Sequence, residues 1–177
     1  MEITLDDIHV LYSGEKLQER IKSLAKEINE TYKGEEIYTI CVLKGSVMFY
    51  TELVQHLDMP LKMEFIRLSS YGSDYASSGK VKAVNLSLPD INGKNVLIVE
   101  DIIDTGHTAK FLLDFIDHNF NTKSTKFCAL LDKKSKRNVD VDADFSGFIV
   151  EDKFLVGYGL DFEGYYRNIP FIGYVDV

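Results

Sequence analysis

Tryptophan is absent from the 177-residue sequence, cysteine occurs twice and proline three times. Cys41 and Cys128 each sit inside an apolar run. That excludes a disulfide framework and a thiolate metal knuckle, and reads as two buried structural thiols. Positive charge is also short: 20 Lys and Arg face 28 Asp and Glu, a formal net charge of -8. An acidic surface repels phosphate backbones, so nonspecific nucleic-acid binding is disfavoured. A small anionic ligand would need a focused site of backbone N–H groups, Lys, Arg or metal ions. No apolar run approaches the ~20 residues that cross a bilayer. Met1-Glu2-Ile3-Thr4-Leu5-Asp6-Asp7 has neither the basic region nor the apolar stretch of a signal peptide. A cytoplasmic protein without membrane contact is expected.

What is present is ordinary globular material, 45% hydrophobic and 27% charged, enough for one domain over residues 1–177. Ser13 is a candidate N-cap. Leu17, Ile21, Leu24, Ala25 and Ile28 then recur at helical spacing until Gly34. Residues 37–43 form a continuous apolar, β-branched run, the mark of a strand buried on both faces. Lys44-Gly45-Ser46 interrupts it, and a second helix is predicted over 46–57. Residues 61–68 read as a strand. The polar stretch 69–79 is either a long hairpin connection or a mobile lid. Val84, Leu86 and Leu88 alternate as a half-buried strand. A short apolar strand over 96–99, a helix over 107–119 and a strand over 127–131 follow, then short strands and turns. The pattern implies an α/β fold with a central, mostly parallel sheet flanked by helices, whose ligands bind beyond the carboxyl ends of the strands.

The most informative segment runs from the 96–99 strand through Glu100-Asp101-Ile102-Ile103-Asp104-Thr105-Gly106-His107-Thr108. Gly106 permits close backbone approach to an anion, the helix start offers unpaired N–H groups, and the threonines add hydroxyls. This is a cradle for a phosphate monoester, without the Gly-Lys-Ser/Thr of a P-loop. Glu100 and Asp101 suit the vicinal hydroxyls of a ribose, directly or through a hard divalent cation. Capping alone accounts for one or two of these residues. It does not account for acids crowded together, where repulsion costs stability unless a cation or hydroxyls compensate.

At these residues the chain resembles the type I phosphoribosyltransferases. Leu43-Lys44-Gly45-Ser46, Ser70-Tyr71, residues 152–161 and Tyr166-Arg167-Asn168 make it most similar to the hypoxanthine-guanine, or 6-oxopurine, branch. The resemblance implies that fold, with a small hood formed by terminal segments, and transfer of a 5-phosphoribosyl group from phosphoribosyl pyrophosphate to a 6-oxopurine base with Mg2+. It implies that Glu100 and Asp101 hold the ribose hydroxyls and that Asp104, Thr105, Gly106, His107 and Thr108 bind the 5-phosphate. Asp104 would also be the acid or base for the purine ring proton. Lys44-Gly45 would form the pyrophosphate loop, where an unusual peptide conformation turns N–H groups to the leaving group. Arg167 would bind pyrophosphate, and Asp161 would join Glu100 and Asp101 as a metal carboxylate. Lys133 would donate to the purine O6, Phe154 would stack on the base, and carbonyls near Leu155 and Asp161 would meet its exocyclic edge. Ser70 and Tyr71 would belong to the lid, and a homodimer or homotetramer is implied. His107 departs from relatives with Lys there, which makes any side-chain charge on the phosphate pH-dependent. His9, His56 and His118 form no constellation.

Two other readings compete. A xanthine-preferring enzyme of the same reaction is not separated by sequence, because the 2-position of the base is read largely by backbone groups. A nucleotide-sensing, nucleic-acid-binding regulator on the same fold has support only in the basic cluster Lys133, Lys134, Lys136 and Arg137.

Overall fold

The computed structural model describes residues 4–70 and 81–176. The first long element is α1, Gly14–Thr31, opened by Ser13, whose Oγ accepts from the Lys16 N–H at 3.3 Å. Its apolar stripe of Leu17, Ile21, Leu24, Ala25 and Ile28 is buried, as the spacing predicts. Each such side chain contributes about 1.5–3 kcal/mol in leaving water. At φ +79° Gly34 takes the chain out of the helix in the left-handed region.

Six strands form the main sheet: β2 (Ile37–Leu43), β3 (Leu61–Ser70), β4 (Val81–Asn85), β5 (Asn95–Ile103), β6 (Ser124–Asp132) and β7 (Phe145–Ile149). Their order is β4-β3-β2-β5-β6-β7, all neighbours parallel except the antiparallel edge strand β4. Two further α-helices among the described residues are α2 (Val47–Val54) and α3 (His107–Asn119). Alternation along the strands sorts the core into two layers. Ile37 and Cys41 of β2, Leu97 and Val99 of β5, and Cys128 and Leu130 of β6 face α1 and α2. Tyr38, Ile40, Val42, Val96, Ile98, Phe127 and Ala129 face α3. The buried Thr39 is satisfied by the Tyr50 hydroxyl at 2.8 Å and by donating to the Lys62 carbonyl at 3.0 Å. Both cysteines are free and buried, and burial pushes the Cys41 thiol up to about 11.

A second sheet joins the two ends of the chain. Strand β1 (His9–Tyr12) pairs antiparallel with β9 (Ile172–Val175), and β9 with β8 (Phe154–Val156). This is the hood of terminal segments, with its own small core around Val156, Phe162 and Ile169.

Three expectations shift. The strand predicted over 96–99 runs on to Ile103, because Glu100 and Ile102 pair with Ala129 and Leu131 of β6. Tertiary pairing there overrides the low strand preference of acids. The α2 helix is shorter than the predicted 46–57. Leu86 and Leu88 lie beyond β4, partly buried against the α3-side core. No helix among the described residues is long and apolar enough to cross a membrane.

Candidate active site

The parallel strands deliver their carboxyl ends to one edge. The turn after β2, the turn after β5 and the segment after β6 meet there, beneath the 157–167 loops of the hood. Two adjoining cavities, about 190 and 200 Å³, share Glu100, Asp101 and Thr108. One reaches Gly45 and Leu68, the other Asp104 and Gly106. A larger hollow of about 720 Å³, lined by Lys22, Asn29, His56 and Pro60, lies at the amino ends of β2 and β3. It holds none of the candidate site residues, and the position rule for parallel sheets favours the opposite edge.

Glu100 is 8% exposed. Burial, and then its neighbour Asp101, push its carboxyl well above the ordinary range. Burial also pushes Asp101 up to about 6, opposed by N–H donation from Ile102 (2.9 Å) and by the Arg167 charge. Two acids so disposed invite a cation or hydroxyl donors. Among the described residues no three His, Cys, Asp or Glu side chains gather as a metal site. Glu100 and Asp101 suit a hard divalent cation held by one or two carboxylates, with ligand oxygens completing its shell. Asp161 is near enough to raise Asp101 but is engaged elsewhere. It accepts from Arg167 (2.5 Å) and from the Gly164 N–H (2.7 Å).

The turn after β2 is packed between two segments. A Cβ on Gly45 would lie 1.7 Å from Asp101 Oδ2, and one on Gly159 would lie 1.9 Å from the Gly45 carbonyl. The Leu43–Lys44 peptide is cis. Arg167 donates to the Gly159 carbonyl at 2.7 Å, so its guanidinium is fixed beside the same turn.

After β5, Gly106 is the N-cap of α3 at φ +89°, with no side-chain cap. Asp104 and Thr105 therefore do not cap α3, and the capping explanation for them falls away. The first-turn N–H groups of α3 open onto the cavity that Asp104, Thr105, Gly106 and Thr108 line. His107 is half-buried at the first helical position. Asp104 Oδ1 is buried without a partner among the described residues, while Oδ2 lies 3.9 Å from Lys133 Nζ. An unpaired buried carboxylate oxygen is costly, which makes Asp104, a side chain 47% exposed overall, a candidate to accept from a ligand.

Lys133 is 7% exposed. Its ammonium donates to the Lys153 carbonyl at 3.0 Å and lies 3.7 Å from Asp152 and 3.9 Å from Asp104. Phe154 is half-buried, edge-to-face with Phe162 at 5.5 Å, and Leu155 beside it is buried. The basic cluster does not survive as a patch. Lys133 is internal, Lys136 pairs with Asp152 at 2.8 Å, and Arg137 pairs with the buried Asp132. Ser70 ends β3, and Tyr71 with the rest of the predicted lid lies outside the described residues. Asp132 and Asp152 escaped sequence reasoning. Asp132 carried the signal already used for Glu100 and Asp101, an acid closing an apolar strand.

A twisted parallel sheet with an anion cradle and paired acids at its carboxyl edge defines a protein of the nucleotide-binding α/β class. The chain matches the phosphoribosyl transferase domain over residues 9–163 and belongs to that family. It is 46% identical over 170 residues to the hypoxanthine-guanine phosphoribosyltransferase of Aquifex aeolicus, covering 96% of this chain and 95% of that one. It is 44% identical over 164 residues to the bifunctional protein TilS/HprT of Listeria monocytogenes, 93% of this chain but only 25% of that protein. The crystal structure of a hypoxanthine-guanine phosphoribosyltransferase from Bacillus anthracis superposes with a TM-score of 0.90 at 45% identity, over 99% of this chain and 100% of the other.

Proposed function

We propose that the chain is a cytoplasmic, magnesium-dependent enzyme of purine salvage, working as one domain. It moves the 5-phosphoribosyl group of phosphoribosyl pyrophosphate onto hypoxanthine, and onto guanine, giving the nucleoside monophosphate and pyrophosphate. One observation carries the reading. The buried ammonium of Lys133 and the carboxylate of Asp104 stand 3.9 Å apart just past the ends of the adjacent strands β5 and β6, and Asp104 also lines the cavity at the start of α3. A donor for an exocyclic oxygen and an acceptor for a ring N–H are thus paired at the spacing of one purine edge.

In this reading the first-turn N–H groups of α3 and Thr105 and Thr108 hold the 5-phosphate. Glu100 and Asp101 hold the ribose hydroxyls and stabilise the positive charge that develops as the bond to pyrophosphate breaks. A bound Mg2+ supplies charge neutralisation for the leaving group. Lys44, Gly45 and Arg167 keep the pyrophosphate in place, and Asp161 orients Arg167 or holds a second ion. Phe154 faces the base and carbonyls near Leu155 and Asp161 meet its edge. As N9 of the base bonds to the ribose carbon and the bond to pyrophosphate breaks, the proton on N7, beside the exocyclic oxygen, passes to Asp104. The protein acts as a homodimer or homotetramer, which light scattering checks.

The test is a spectrophotometric assay with Mg2+ and phosphoribosyl pyrophosphate against hypoxanthine, guanine, xanthine and adenine. Turnover of 6-oxopurines with adenine inert is expected, and the relative rates fix the base preference. Adenine turnover near the hypoxanthine rate would overturn the role of Lys133.

A further inference from the structure

The segment between β6 and β7 touches both halves of the proposed site. At one end the Lys133 N–H donates to the Ile103 carbonyl at 2.9 Å, and further on Asn138 N–H donates to the Thr105 carbonyl at 2.9 Å. Its side chains press on the outside of the phosphate turn. A Cβ on Gly106 would lie 2.8 Å from Arg137 Cδ and Val141 Cγ1, and 2.9 Å from Val139 Cγ2. The segment thus carries the purine donor at its start and backs the phosphate cradle with its middle.

One ion pair ties it down. Arg137 reaches the carboxylate of Asp132, the last residue of β6, and its other terminal nitrogen donates to the Val141 carbonyl at 2.7 Å. The two side chains are 14% and 2% exposed. A buried pair of this kind is weak evidence for stability, since an apolar or neutral pair often serves as well, whereas it fixes geometry. The guanidinium, held in a planar fork at both ends, leaves the loop one arrangement.

Resting on the function proposed above, we propose that Asp132 and Arg137 are positioning residues. Their pair sets the phosphate turn and Lys133 in one register, so that the 5-phosphate and the base are gripped at the right separation. Neither residue touches substrate.

Single removal leaves a buried charge and risks misfolding, so the decisive variant is D132N/R137Q, a neutral pair that keeps hydrogen-bonding groups, with R137K beside it. Melting temperature, kcat, both KM values and the calorimetric Kd of the product nucleotide are measured. The neutral pair is expected to keep its melting temperature within a few degrees. The KM for phosphoribosyl pyrophosphate and that for hypoxanthine each rise about tenfold and product Kd weakens about a hundredfold, both grips being lost together. R137K falls between, keeping charge but not the fork. A purely structural pair would lower the melting temperature and leave both KM values within about twofold of wild type, and that result overturns the inference. So does a rise confined to one substrate. Wild type run alongside separates this from failure of the proposed activity, which would show as no turnover before any substitution.

Discussion

Asp101 Oδ2 fills the space that a side chain on Gly45 would need, 1.7 Å from an ideal Cβ. The turn after β2 and the acid in β5 are therefore a fitted pair. Gly45→Ala must displace Asp101 or open the turn away from it. The variant is expected to fold, with a loss of about 1–3 kcal/mol from overpacking. Its kcat/KM for phosphoribosyl pyrophosphate should drop by about a hundredfold, since misplacement of about 1 Å at a reacting centre costs that much. Steady-state kinetics beside a urea melt check both.

Asp104 offers a buried, unpartnered oxygen beside Lys133. Asp104→Asn keeps the shape and removes the proton acceptor. Turnover should fall by about 10²–10⁴-fold while the affinity for phosphoribosyl pyrophosphate changes little. Equal losses in both, by kinetics and calorimetry, would give Asp104 a structural role instead.

Lys133→Gln removes an ammonium lodged between Asp104, Asp152 and the Lys153 carbonyl. The amide can both donate and accept, so rejection of a 6-amino group should relax. The ratio of hypoxanthine to adenine turnover is expected to narrow by at least about tenfold, with kcat for hypoxanthine reduced. Competition assays with both bases measure it.

Burial raises Asp101 to about 6 from an ordinary 3.8, so the folded protein holds its proton more tightly than the unfolded chain does. Between those values the folded state carries more protons, and stability falls as pH rises. Asp101→Asn should therefore melt higher than wild type at pH 7, and the gap should close by about pH 4. Melts of the two proteins across pH decide it. Comparing them cancels Glu35 and Asp7, whose lowered values act in the opposite direction.

The parts legible in the sequence were those with a local physical cause. Ser13 and the apolar stripe of α1 announce a helix through spacing alone, and Gly106 between a strand and a helix announces an anion turn. Glu100 and Asp101 were conspicuous because two acids crowded at a strand's end repel each other. What stayed hidden depends on partners far along the chain. His9–Tyr12 is too short and exposed to read as a strand until Ile172–Val175 lies beside it. The extension of β5 through two acids needed Ala129 and Leu131 of β6. Arg137 looked like one more solvated charge because nothing local shows that Asp132, five residues back, is buried to receive it.

The hood has a consequence for the order in which the enzyme comes into being. Strand β1 pairs only with β9 among the described strands, joining His9 to Tyr174. A chain growing from its amino end can lay down the parallel sheet and the phosphate turn while β1 still waits for its mate. A nascent chain that has not yet passed residue 167 lacks the loop that sets Arg167 beside the turn of Gly45. The hood is therefore the last part of the fold that synthesis can complete, after the sheet beneath it.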